Sequence, residues 1–187
     1  VLNDHFDHFK ITLFTIPQKA DDNLLYTMDE KEYAQLAMHG WEHNDSMEAY
    51  KWHSLRMIRD RFKYWKRKTK KFNCVVEGWK APGWWNTPEV IQIVNEYGWW
   101  AATNVNNPTF HDARPNREYV FDLGIHEMED ALDTWKEEGC GYEDYPLKIH
   151  GHTHNCGNGI EECMSNVLKI PKDAEFYWID EAVDIWY

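Results

Sequence analysis

Strand-like apolar runs alternate with helical patterns along this chain, and that alternation restricts it to folds in which parallel strands are joined by helical crossovers. Lys10–Ile16 is a β-rich run closed by Pro17. Asp29 to Glu32 carries a capping-box pattern that predicts a helix through Leu36, and Ala37–His39 reads as a short strand. Leu55, Ile58, Phe62 and Trp65 follow helical spacing within a helix expected from Ser46 to about Lys68. Val75–Trp79 is the next strand. Asn86-Thr87-Pro88 then opens a helix with proline in its first turn, and Gly98 ends it. The pattern continues with a strand at Trp99–Val105, a helix at Glu127–Glu138, a strand at Leu147–His150, a helix at Ile160–Leu168, a last strand at Phe176–Ile179 and a terminal helical turn. Such an order curls into a parallel sheet, open or closed as a barrel. The 187 residues show no internal repeat or flexible linker and read as a single domain.

Three of the strand runs are followed at once by a polar-aromatic motif: His39-Gly40-Trp41-Glu42-His43, Lys80-Ala81-Pro82-Gly83-Trp84 and His150-Gly151-His152-Thr153-His154. Strand C-termini are where α/β folds gather their chemistry. The spacing of His39 and His43 lets two imidazoles reach one ion from a turn or tight loop, and such a pair suits Zn²⁺ or another divalent first-row ion when a carboxylate supplies a third ligand. Coincidence is the competing account, since the chain holds ten histidines. Pro82 and Gly83 would fix a loop that offers Trp84 or Trp85 as a wall for a ligand and Lys80 as an orienting charge, or they form an ordinary turn with both rings capping the core. His150 is a candidate proton donor or metal ligand, because an imidazole titrates close to working pH.

Charge excludes other functions. With 32 acidic against 20 basic residues the formal net charge is -12, which opposes non-specific nucleic-acid binding and leans toward a neutral or cationic substrate. Nine Lys or Arg lie between Arg56 and Lys71 against the single Asp60, and the helical spacing makes them a solvated basic face. No apolar run is long enough for a membrane span. The four cysteines, Cys74, Cys140, Cys156 and Cys163, form no CxxC pair and leave the redox compartment open. Eleven Trp, ten Tyr and eight Phe serve both a core and sugar-stacking surfaces.

Taken in order, Thr12 to Pro17, His39 to His43, Lys80 to Trp84 and Leu147 to His150 resemble the motifs of the polysaccharide deacetylase family, the NodB-homology fold of carbohydrate esterase family 4. The resemblance spans nearly the whole chain. It implies an α/β fold, a distorted and incomplete (β/α) barrel, with one divalent metal, usually zinc, held by an Asp and two His. In that family a metal-activated water attacks the acetamide carbonyl of an N-acetylated sugar, an Asp is the base and a His protonates the leaving amine. His39 and His43 match the metal histidines, and His150 matches the acid, with His152 as its alternative. Lys80 stands where the family has Arg, and lacks that residue's planar fork. Trp41, Pro82, Trp84 and Trp85 are the candidate substrate-binding residues, and a carbohydrate is the expected partner. The family's Asp-Asp strand has no counterpart here. Asp4 and Asp7 stand too close to the first strand for a crossover, so that strand is expected upstream of Val1 in preference to a site rebuilt on Asp4 or Asp7.

Two rivals remain. Gly151 to His154 matches a run typical of dinuclear metallophosphoesterases, whose other motifs are missing. A carbohydrate-binding protein that has lost its base is the second.

Overall fold

A computed structural model describes residues 2–104, 114–121, 123–124, 149–151 and 160–186. The chain falls into two compact units, Lys10–Tyr119 with Tyr177–Ile185, and Val120–Phe176 with the N-terminal residues through Phe9.

The first unit is built on a mixed α/β pattern. Strands β1 (Ile11–Thr15), β2 (Ala34–His39), β3 (Val75–Lys80), β4 (Trp100–Asn104) and β5 (Arg117–Phe121) lie side by side in sequence order as a five-stranded sheet. The β1–β2, β2–β3 and β3–β4 pairs are parallel. All six residues of β2 are buried, as expected for an inner strand covered on both faces. The alternation read from residues 10–104 is therefore present, and closure into a barrel is not part of the described sheet.

Helix α2 (Asp22–Asp29) starts where the Asp21 carboxylate accepts the Leu24 N–H at 2.7 Å. The expected helix opening at Asp29 is not formed. Asp29 closes α2 instead, and its carboxylate accepts the Cys74 N–H at 2.9 Å, so it staples the helix to the start of β3.

Helix α3 (Leu55–Thr69) begins at the Ser54 cap, later than expected. Residues 46–54 form a loop and a 3₁₀ turn, Ala49–Lys51. The reason is local: Asp45 accepts the Met47 N–H, and Glu48 turns back to the preceding loop. Ile58, Phe62, Trp65 and Thr69 are the buried face of α3, with Phe62 against Trp79 at 5.3 Å and Trp99 at 4.9 Å. Most of the basic residues take the other face, as the spacing predicts, and Arg61 is the exception, its guanidinium packed on Trp52.

Helix α4 (Pro88–Tyr97) has both expected ends. The Thr87 hydroxyl caps Val90, and Gly98, at φ 69°, donates to Asn95 and Val94 carbonyls from the left-handed region. Gly78 in β3 faces its register partner Trp100, whose ring lies 2.0 Å from where a Cβ would stand.

The expected strand at Phe176–Ile179 is absent. Helix α6 (Ile179–Trp186) begins there, because the Glu181 carboxylate reaches back to the Trp178 N–H at 2.9 Å, half of a capping box. Glu181 also pairs with Lys10 at 2.7 Å.

The second unit contains α1 (Leu2–His5), the short parallel pair β6 (Leu123–Gly124) and β7 (Ile149–His150), and α5 (Ile160–Val167). Phe6, Phe9 and Phe176 form one aromatic cluster in it. Cys163 is disulfide-bonded, whereas Cys74 of the first unit is a buried free thiol. The helix expected at Glu127–Glu138 lies outside the described residues. No described helix is long and apolar enough to cross a membrane.

Candidate active site

Two of the three strand-end motifs come together at the C-terminal ends of β2 and β3. His39 is the last residue of β2 and only 6% exposed. Its Nδ1 lies 2.9 Å from the Lys80 carbonyl oxygen. A carbonyl only accepts, so Nδ1 carries the proton and the lone pair of the neutral ring resides on Nε2. This is the arrangement by which an outer partner orients a metal-binding imidazole.

The chain then turns sharply. Gly40 at φ 60° and His43 at φ 53° both adopt left-handed backbone, which brings the His43 ring back to His39 at 4.7 Å between centroids and 61° between planes. The strain of a left-handed His is held in place by Glu48. Its carboxylate accepts the Trp41 N–H at 2.9 Å, the Glu42 N–H at 3.2 Å and the His43 N–H at 2.5 Å. Glu48 was invisible in the sequence reading, where it fell inside an expected helix.

The second motif interlocks with the first. A Cβ on Gly40 would stand 2.5 Å from Pro82 Cγ, and one on Gly83 would stand 2.5 Å from the Ser46 carbonyl oxygen. Pro82–Trp84 forms a 3₁₀ turn with Gly83 at φ 57°. Both loops thus need their glycines for close approach as much as for backbone freedom.

Lys80 ends β3 and is 2% exposed. Its Nζ lies 4.0 Å from the centroid of Trp84 and 5.7 Å from that of Phe14, a cage of ring faces that favours a cation. Nζ is buried with no hydrogen-bond partner among the described residues. Burial pushes its pKa down to about 7. Phe14 comes from β1, within the Thr12–Pro17 run.

Trp41, Trp84 and Trp85 are all half-buried. Trp41 packs edge-on against Tyr64 at 5.1 Å, and Trp85 against Tyr50 at 5.7 Å. The Arg61 guanidinium lies over Trp52 at 4.2 Å and over Trp41 at 5.5 Å.

His150, half-buried, ends β7 in the second unit, opposite Gly124. His152 and His154 lie outside the described residues, and with them the Gly151–His154 run that suggests a phosphoesterase. Asp4 and Asp7 also fall in the second unit. Among the described residues no group of three or more His, Cys, Asp or Glu gathers to hold a metal, and the His39–His43 pair is not part of such a cluster there.

No family model matches the chain, and no curated protein matches it. Among solved structures it is similar to the Xyl-CE4 domain of a multidomain xylanase from the hindgut metagenome of Trinervitermes trinervoides, with 16% identity over 95% of this chain and 88% of that one and a TM-score of 0.43.

Proposed function

We propose that this protein is a metal-dependent hydrolase that removes N-acetyl groups from an amino-sugar polymer or related carbohydrate, with residues 1–187 as one catalytic domain on an incomplete (β/α) barrel. The observation that carries the reading is the His39–His43 pair, with its rings in contact and the Nδ1 of His39 engaged by the Lys80 carbonyl. Two neutral imidazoles fit a first-row divalent ion, most simply Zn²⁺. His39 and His43 would hold such an ion, which would supply Lewis acidity toward an acetamide oxygen and lower the pKa of water.

The chain's own groups divide the remaining work. Lys80 places a positive charge against rings that keep water away, and serves to hold and orient the carboxylate base. That carboxylate is unassigned among the described residues. Half-buried Trp41, Trp84 and Trp85 offer apolar walls for a pyranose ring, whereas Pro82, buried against Gly40, shapes the loop that carries the last two. His150, or His152 in its place, gives a proton to the leaving amine nitrogen as the C–N bond breaks, leaving acetate and a free amino sugar.

The test is acetate release from N-acetylglucosamine oligomers by the metal-loaded protein. Release that a chelator abolishes and zinc restores supports the reading. No release on any acetylated sugar by the metal-loaded protein overturns it and leaves a second reading, a carbohydrate-binding protein on the same scaffold. One observation favours that alternative: the Lys80 ammonium has no carboxylate partner among the described residues. Two metals per chain, in place of one, would favour a phosphoesterase.

A further inference from the structure

The basic residues of α3 and of the turn that follows it, Lys70 and Lys71, sort by what they face. Arg59 pairs with Glu96 at 2.8 Å, Lys66 with Glu77 at 2.6 Å, and Lys71 lies 3.8 Å from Asp22. Arg56, Arg61 and Arg67 have no ion-pair partner among the described residues. Those three arginines line one open groove of about 480 Å³, together with Trp41 and Tyr64. Asp60 also borders it, so its lining carries an excess of positive charge. This local sign opposes that of the whole chain, at -12.

Arg61 is the built part of the groove. Its guanidinium is clamped over Trp52 and Trp41, and its Nη1 is buried without an acceptor among the described residues. Glu48 and Glu42 act on its charge through space, while their hydrogen bonds go to the backbone of residues 41–43 and to Asn44 at 2.6 Å, so neither is a hydrogen-bond acceptor for Arg61. A buried donor left unpaired costs free energy that an incoming oxygen anion recovers. Trp41 gives the groove its position, since it sits midway along the loop from His39 to His43.

We propose that this groove is a subsite for an acidic sugar, one bearing a carboxylate or sulfate, whose neighbour in the chain is presented to the His39–His43 loop. Planar guanidinium forks match either oxyanion, and the rings of Trp41 and Tyr64 suit the apolar face of a pyranose. A cavity of this volume takes a small ligand or part of a short oligosaccharide. A nucleic acid would bring many phosphates toward a strongly acidic molecule, which disfavours it as occupant. The proposal rests on the deacetylase reading for what lies beside the groove.

The experiment is calorimetric titration of the full, metal-loaded protein with short N-acetylglucosamine oligomers, with oligomers alternating N-acetylglucosamine and glucuronate, with sulfated N-acetylglucosamine oligomers, and with a single-stranded oligonucleotide. At low salt one of the acidic sugars is expected to bind about tenfold tighter than the neutral one. The two acidic arms tell carboxylate from sulfate. The preference should collapse in Arg56→Gln/Arg67→Gln, two exposed positions, and persist in Lys63→Gln/Lys70→Gln, which removes the same charge from α3 outside the groove. Equal affinity for acidic and neutral sugars, loss of preference in both double variants, or its survival in the arginine variant overturns the proposal, and so does an oligonucleotide bound as tightly as the acidic sugar. If neutral oligomers still bind and release acetate in those cases, the deacetylase reading stands alone; if no sugar binds, both fail.

Discussion

Lys80 is a buried cation that should cost the fold stability. Its ammonium is enclosed by Phe14 and Trp84, and its folded pKa of about 7 lies below its ordinary value of 10.5. The unfolded chain therefore holds a proton that the folded chain sheds between those values. Stability should rise with pH from about 7 toward 10, and carry the full burial penalty below 7. Converted directly, the shift sets an upper limit of roughly 5 kcal/mol. Urea unfolding at acid and alkaline pH checks the sign, and Lys80→Met should be more stable than the parent near neutrality with most of the pH slope gone, yet inactive. A stability flat across that range would contradict the burial of an unpaired charge. At this scale the sequence was informative about motif residues: His39, His43 and Lys80 stand where their strand-end positions led one to expect. Glu48 and Arg61 were not legible. One looked like a helix interior and the other like one more solvated cation, because their roles depend on loop backbone and on rings distant in sequence.

At the scale of elements, local signals worked where one residue type does one job. Thr87, Pro88 and Gly98 bracket α4 as their chemistry requires. The capping pattern at Asp29 misled because Asp21 had already started the helix and Asp29 serves Cys74. The apolar run before α6 resembled a strand, and Glu181, three residues beyond Trp178, was the signal that it opens a helix. Gly78 shows what the period of a strand does not reveal, the identity of its cross-strand neighbour. Gly78→Ala would drive a methyl group into the Trp100 ring, backed by a buried core. It should cost about 3 kcal/mol or more in urea unfolding. A loss within experimental scatter would mean the Trp100 ring leaves β3 at little cost.

For the molecule as a whole, the βαβ order of residues 10–104 was readable because each crossover is short and each strand is followed by a helix with an apolar stripe. Closure of a barrel was not, since it depends on pairings between strands far apart in the chain. The acidic total also concealed a local arrangement. The cations of α3 are partly matched by carboxylates from neighbouring elements, and the unmatched arginines collect beside the Trp41 loop. Strand ends, glycine contacts and the Glu48 clamp all bear on one claim, that His39 and His43 are held as a metal-binding pair. Zinc titration of the full protein by calorimetry tests this most directly. The account predicts one zinc per chain, with affinity reduced about a hundredfold or more in His39→Ala and in His43→Ala while both variants remain folded. Absence of zinc binding, or binding that neither substitution weakens, would contradict it.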